Sequence, residues 1–329
     1  MNTTTAPTFL DQSQLDYLST NTPIYYTPST SLTGIPWLPD HVFALAAPVI
    51  AYWILSGIFH FLDTSGWKWL EKYRIHESAE VQARNLASRS QVLRDVIFQQ
   101  LVQTGMGLVW IEHQAVGADV DHLGNMLRLA KPMAIVVQWV LGQELGSELL
   151  ATRGAIGLYT LYWWAIPVAK FFLGLFVIDT WQYFLHRALH MNAYLYKTLH
   201  AHHHRLYVPY AYGTLYNHPI EGFLIDTLGA LVAEKVGQLT MREATLLFVV
   251  ATLKAVDVHC GYNFPWDPLQ IFTENNADYH DIHHQVIGIK SNFAQPFFVH
   301  WDDMLGTRMT RKDIEARKAE QKLKQNKTE

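Results

Sequence analysis

Cysteine is nearly absent: Cys260 stands alone in 329 residues. No intramolecular disulfide can form, and a four-cysteine zinc or iron–sulfur site is excluded. Charge is scarce too, at 16% of residues against about 25% in soluble domains, while hydrophobic residues reach 50%. So few groups that want water point to a lipid environment. The charge present is mixed, 25 basic against 29 acidic residues for a net charge of −4, so no positive field is available to hold nucleic acid. No Lys or Arg precedes Lys68. The basic segment of a cleavable secretory signal is therefore missing, and the first apolar run is expected to stay in the chain. Internal repeats, a P-loop and a dinucleotide fingerprint are missing as well.

Long apolar runs are present. Residues 42–62 carry His60 as their one ionisable group, and 21 residues is close to the roughly 20 that span a bilayer core. Residues 96–111 and 154–178 are further expected spans, while 132–143 is too short and suits a re-entrant or interfacial piece. Residues 222–233 and 244–256, interrupted by Asp226 and Lys254, read as a helical hairpin that enters the membrane and returns. The stretch 67–95 is helix-compatible and suits either the membrane interface or an ordinary amphipathic surface. Basic residues follow the first span, and the tail 308–329 holds eight basic against four acidic residues. The positive-inside rule places both in the cytosol and the N-terminal arm in the lumen. The expected fold class is thus an all-α integral membrane protein whose transmembrane helices carry a cytosolic, helical, histidine-rich di-metal cap. Its expected parts are an irregular arm at 1–40, membrane helices with an interfacial segment at 41–178, a histidine-box region at 179–306 with a hairpin at about 222–256, and a charged tail at 307–329.

Histidine is in excess: 17 residues, eleven of them between His186 and His284. HRALH supplies His186 and His190 at the end of a helical pattern running from about Val168, and i, i+4 spacing puts both rings on one face. Asp179, two turns back on that face, is placed to hold a ligand's other ring nitrogen. HAHHH supplies His200, His203 and His204, and YHDIHHQ supplies His280, His283 and His284. Both are H-x-x-H-H, and on a helix the three nitrogens of each are expected to point one way, with His202 facing away. His218 in NHPIEG and His259 in VDVHCGY complete a set of ten. Ten imidazoles overfill one ion and suit two octahedral-type ions with open positions. Imidazole serves iron, copper, nickel and zinc alike, so spacing leaves the element open. Glu221, one turn after His218, and Asp281, inside the last box, are candidate orienters of the ligands, and no catalytic side chain beyond the metal centre stands out. A zinc hydrolase or a metal transporter would account for the histidines alone. The zinc-peptidase motif H-E-x-x-H is absent, and the boxes lie beyond the spans rather than at their middle.

Across roughly residues 52–307 these boxes resemble the fatty acid hydroxylase / sterol desaturase superfamily of histidine-rich, non-haem di-iron membrane enzymes. The stretch HCGYNFPWDPLQIFTENNADYHDIHHQVIGIKSNFAQPFFVHWDDMLGT at 259–307 and KYRIH at 72–76 are similar to the sphingolipid (sphinganine) C4-hydroxylases of fungal and plant type. The resemblance implies hydroxylation of sphinganine or dihydroceramide at carbon 4 to phytosphingosine or phytoceramide. It further implies two Fe ions, replaceable by zinc in a purified sample, together with O2 and electrons from NAD(P)H through cytochrome b5 and its reductase. Residence would be in the endoplasmic reticulum membrane, multi-pass, with the active site facing the cytosol. A sterol desaturase or C4-methyl sterol oxidase of the same superfamily is the alternative. Fatty acyl alpha-hydroxylases of the superfamily have a further H-x-x-x-H where this chain has Ala255 and His259, so one ligand is expected from His218 instead. Trp266, between Pro265 and Pro268 in the stiff FPWDP turn, is the expected substrate-seating residue.

Overall fold

The computed structural model describes residues 9–27, 33, 35, 37–77, 80, 83–112 and 120–325. The start of the expected irregular arm and the last four residues of the tail lie outside them. Among the described residues there is no β-strand, only an isolated antiparallel bridge between Arg74 and Tyr262. The chain divides into two compact units, residues 1–43 with 112–172, and residues 44–111 with 173–329.

The first unit contains a helix that the composition of the arm conceals. Gln12–Thr20 is helical because Asp11 accepts the Gln14 amide at 2.8 Å while the Gln14 side chain accepts the Asp11 amide at 3.0 Å, a reciprocal cap that satisfies two otherwise orphaned donors. Leu10 and Leu18 then bury against Met126, Ala130, Leu158 and Trp163. Residues 132–141 are not a separate re-entrant piece; they complete the His122–Leu141 helix, which carries Pro132 within it. Gly142, at φ 83°, turns the chain into Gln143–Thr160 in a conformation that a side chain would strain.

Among the described residues two helices are long and apolar enough to cross a membrane, Asp40–Thr64 and the continuous Gln143–Met191. On the first, Ile50, Ile54, Ile58 and Phe61 form an exposed apolar stripe, while Tyr52, Ser56 and Phe59 are buried in the second unit. The expected span 96–111 lies within the Arg89–Glu112 helix. The expected hairpin is also helical: Pro219–Gly222, a π turn at Phe223–Thr227, Leu228–Val236, and then Met241–Val258, which starts at a Thr240/Glu243 capping box. Lys254, a charge within an apolar run, is fully buried, and its Nζ donates to Asp257 at 3.2 Å and to the Leu269 carbonyl at 2.6 Å.

Residues 67–95 do not form the single helix that their composition allows. A 3-10 turn at Lys68–Tyr73 leads into the bridge at Arg74, and the chain is non-helical again at 85–88, ahead of the Arg89–Glu112 helix. The backbone is pulled out of helical geometry by pairing with the segment after His259. The Ile75 amide donates to Gly261 at 3.0 Å, and the Asn263 amide donates to Tyr73 at 2.8 Å. Tertiary pairing here overrides a weak local propensity.

Candidate metal centre

Four elements of the second unit deliver the histidines. His186 and His190 stand one turn apart near the end of the Ile166–Met191 helix; His200, His203 and His204 occupy the His200–Arg205 3-10 turn; His259 caps Met241–Val258; and His280, His283 and His284 belong to Ala277–His284. Nine of the ten expected ligands gather into two groups. His186, His190, His200, His204 and His283 form one, and His203, His259, His280 and His284 the other, with the ligand-capable atoms of each group within 4.8 Å of one another.

Each H-x-x-H-H box is therefore shared rather than pointing one way. The i, i+4 pair serves one group and the histidine at i+3 serves the other, because adjacent residues diverge by at least 100° around a helix axis. His218 is not brought into either group; its Nδ1 accepts the Ile220 amide at 3.3 Å and caps Pro219–Gly222. His202 faces away as expected, 3.3 Å from Asp95.

The ring nitrogens not used in the groups fix the tautomers. Nδ1 of His186 donates to the Phe293 carbonyl at 2.8 Å, His283 to Ser291 at 2.7 Å, His284 to Leu206 at 2.8 Å, His259 to Ala255 at 2.8 Å and His203 to Tyr216 at 3.3 Å. His200 donates Nδ1 to the buried Glu221 carboxylate. A carbonyl cannot donate, so in each neutral ring Nδ1 carries the proton and Nε2 presents a lone pair. His186 and His200 consequently face each other, Nε2 to Nε2 at 3.1 Å, with no proton to share. A cation between them resolves that clash of lone pairs. Around a first-row metal with bonds of about 2.1 Å, donors at right angles lie about 3.0 Å apart and tetrahedral donors about 3.4 Å. Six Nε2 pairs, four in the first group and two in the second, lie 3.0–3.2 Å apart. Five imidazoles in one group also exceed the four of a tetrahedral zinc. The residues fit two metal ions of octahedral type.

Burial keeps the ligands in their metal-ready, neutral form. It is the main force pulling His203 down to about 3 and His259 to about 4, and it holds His280, His283 and His284 well below the ordinary histidine range, with neighbouring histidines adding to the effect.

Two of the expected orienters act elsewhere. Among the described residues Asp179 hydrogen-bonds to no histidine; it accepts the Phe297 and Phe298 amides and thereby ties down the loop that supplies the Phe293 carbonyl. Asp281 sits among the ligands in sequence but accepts from Gln285 at 2.6 Å, from His76 at 2.7 Å and from Arg311. Glu221 does hold a ligand, His200. We expect Glu221→Ala to weaken metal retention in the first group by about 10- to 100-fold, read as metal content after dialysis against a chelator. Unchanged content would remove Glu221 from the site. Trp266 is half-exposed, with its ring edge-on to Tyr73 and stacked on Phe264.

Sequence reasoning missed Asp302 and Asn292. Asp302 is fully buried and accepts the Phe293 amide at 3.1 Å, the Ala294 amide at 2.7 Å, the Tyr279 hydroxyl at 2.6 Å and the Thr307 hydroxyl at 2.5 Å. Asn292, at φ 55°, donates its side-chain amide to Tyr279 and Met309 carbonyls, both at 3.0 Å. Together they hold the carbonyls of Ser291 and Phe293, which orient His283 and His186. Their only sequence signal was membership in the long stretch 259–307.

A family model described as fatty acid hydroxylase matches residues 171–307. The chain is 47% identical over 273 residues to the sphingolipid C4-hydroxylase SUR2 of Saccharomyces cerevisiae, covering 83% of this chain and 73% of that protein. It is 38% identical over 270 residues to sphinganine C4-monooxygenase 2 of Arabidopsis thaliana, covering 82% and 88%. It is also 36% identical over 278 residues to the very-long-chain aldehyde decarbonylase GL1-9 of Oryza sativa subsp. indica, covering 84% and 92%. The match to a methylsterol monooxygenase spans 43% of this chain. No solved structure matches.

Proposed function

The chain belongs to the fatty acid hydroxylase family, and on that premise we propose that it is a di-iron membrane monooxygenase that hydroxylates carbon 4 of sphinganine or dihydroceramide. The observation that carries this reading is the pair of buried, neutral histidine groups with their Nε2 lone pairs turned inward. Full-length relatives named for C4 hydroxylation support the substrate, and the short sterol-type match gives that alternative less support.

Two bound irons would supply the activation of O2 that lets one oxygen atom enter a C–H bond while the other leaves as water, with two electrons and two protons consumed. The protein supplies position and dryness. Nδ1 donation fixes each ring, Glu221 fixes His200, and the fully buried Phe293 packs its ring against His186, His190 and His283, keeping water from the first group. The chain has no haem or flavin signature, so its electrons come from a redox partner, which the family resemblance makes cytochrome b5 with its NAD(P)H-dependent reductase. The exposed apolar stripe of Asp40–Thr64 faces lipid, and the basic residues beyond it set the histidine side toward the cytosol. Endoplasmic reticulum residence goes with that partnership.

Expressed in cells that lack phytosphingolipids, the native protein should restore C4-hydroxylated long-chain bases, measured by lipid mass spectrometry. Altered sterols or decarbonylated very-long-chain aldehydes, without C4-hydroxylated bases, would overturn the assignment.

A further inference from the structure

A cavity of about 230 Å³ lies inside the second unit, between the Asp40–Thr64, Arg89–Glu112 and Ile166–Met191 helices and the two arms of the hairpin. Leu45, Met106, Leu231 and Phe248 contribute to its apolar lining. Three other lining residues connect to the histidine-bearing elements: Gln182 stands one turn before His186, Ala255 gives its carbonyl to His259 Nδ1, and Asp226 follows Glu221 by one turn across the π segment Phe223–Thr227. Such π turns widen a helix locally and often mark functional positions.

The lining also holds polar atoms with no partner. Asp226 Oδ2, Thr227 Oγ1 and Gln100 Nε2 are buried and unbonded, while Gln100 Oε1 accepts from Trp53 at 2.8 Å. An uncompensated carboxylate in an apolar cavity is costly unless a cation joins it. Resting on the C4-hydroxylase reading, we propose that Asp226 is the head-group anchor and binds the ammonium of the free long-chain base, with Thr227 and Gln100 serving its hydroxyls. Carbon 4 lies two carbons from the amine-bearing carbon, so a head group held by Asp226 keeps carbon 4 beside the lining residues that adjoin the histidines and leaves the chain to the apolar lining. A ceramide presents a neutral amide and would leave the carboxylate uncompensated. The free base is thus the preferred form.

The test is equilibrium binding of sphinganine and of N-acetylsphinganine to the purified full chain in phosphatidylcholine nanodiscs. The native protein should prefer sphinganine by about tenfold or more, and Asp226→Asn should abolish that preference by weakening sphinganine alone, since a charge-assisted hydrogen bond is lost. Metal content and thermal midpoint report whether the variant is folded; if it is not, the ligand pair on the native protein decides alone. Equal binding of the two ligands by native protein, or unchanged sphinganine binding by folded Asp226→Asn, would overturn the proposal. Turnover is read separately: charge-dependent binding without C4 hydroxylation would support the anchor and overturn the functional reading instead.

Discussion

Replacing His283 by alanine is expected to lower metal content from two equivalents per chain to one and hydroxylation by at least about a hundredfold, since loss of a ligand exceeds the 10- to 100-fold typical of losing only its supporting hydrogen bond. His283 is the informative choice because its helix serves both groups: His280 and His284 belong to the second, His283 to the first. Its Nδ1 is anchored to Ser291, and its Nε2 is buried without a protein partner. No neighbour can take over that lone pair. His280→Ala should empty the second group instead, so the two variants together resolve which ion is lost. Elemental analysis of purified protein gives the count. Retention of two ions by either variant would break the assignment of its group.

Asp302→Ala should be nearly as damaging without touching a ligand. Removing the carboxylate strands two buried amides and the Tyr279 hydroxyl, while the Thr307 hydroxyl keeps Tyr183, and each unsatisfied group costs about 1–3 kcal/mol. Partial relaxation leaves a net loss on the order of 4 kcal/mol, in the range that marks a broken buried network. The loop 291–298 would lose its hold on Phe293, and with it the Nδ1 partner of His186. Thermal unfolding should show a midpoint several degrees lower, and the first metal should be retained less well than the second. An unshifted midpoint would mean that Asn292 and Asp179 hold the loop unaided.

Much of this architecture is legible in the sequence because it depends on local period. The apolar run 42–62 predicted a span, and the Asp40–Thr64 helix contains it; the i, i+4 pair His186 and His190 lies on one helix face. The ligand partition is not legible in that way. Helix geometry parts His203 from His204, but which histidines His203 then joins depends on where His259 and His280 arrive, and these are brought close by packing across tens of residues. The tautomer-fixing partners are hidden for another reason: five of them are backbone carbonyls, which any residue supplies. Asp179 was legible as a carboxylate on the histidine face of its helix and was expected to hold a ligand's ring nitrogen, but the loop amides it serves lie 118 and 119 residues away. The Asp11 to Gln14 capping box was readable and passed over, since it stands in a Thr- and Pro-rich arm with no apolar period.

The central claim is that two histidine-held metals use dioxygen to hydroxylate carbon 4 of a long-chain base. The most direct measurement supplies the purified, iron-loaded protein with sphinganine, cytochrome b5, its reductase, NADH and 18O-labelled dioxygen, and reads the product by mass spectrometry. The account predicts phytosphingosine with a single 18O atom at carbon 4. Product oxygen drawn from water, or consumption of NADH with sphinganine recovered unchanged, would contradict it.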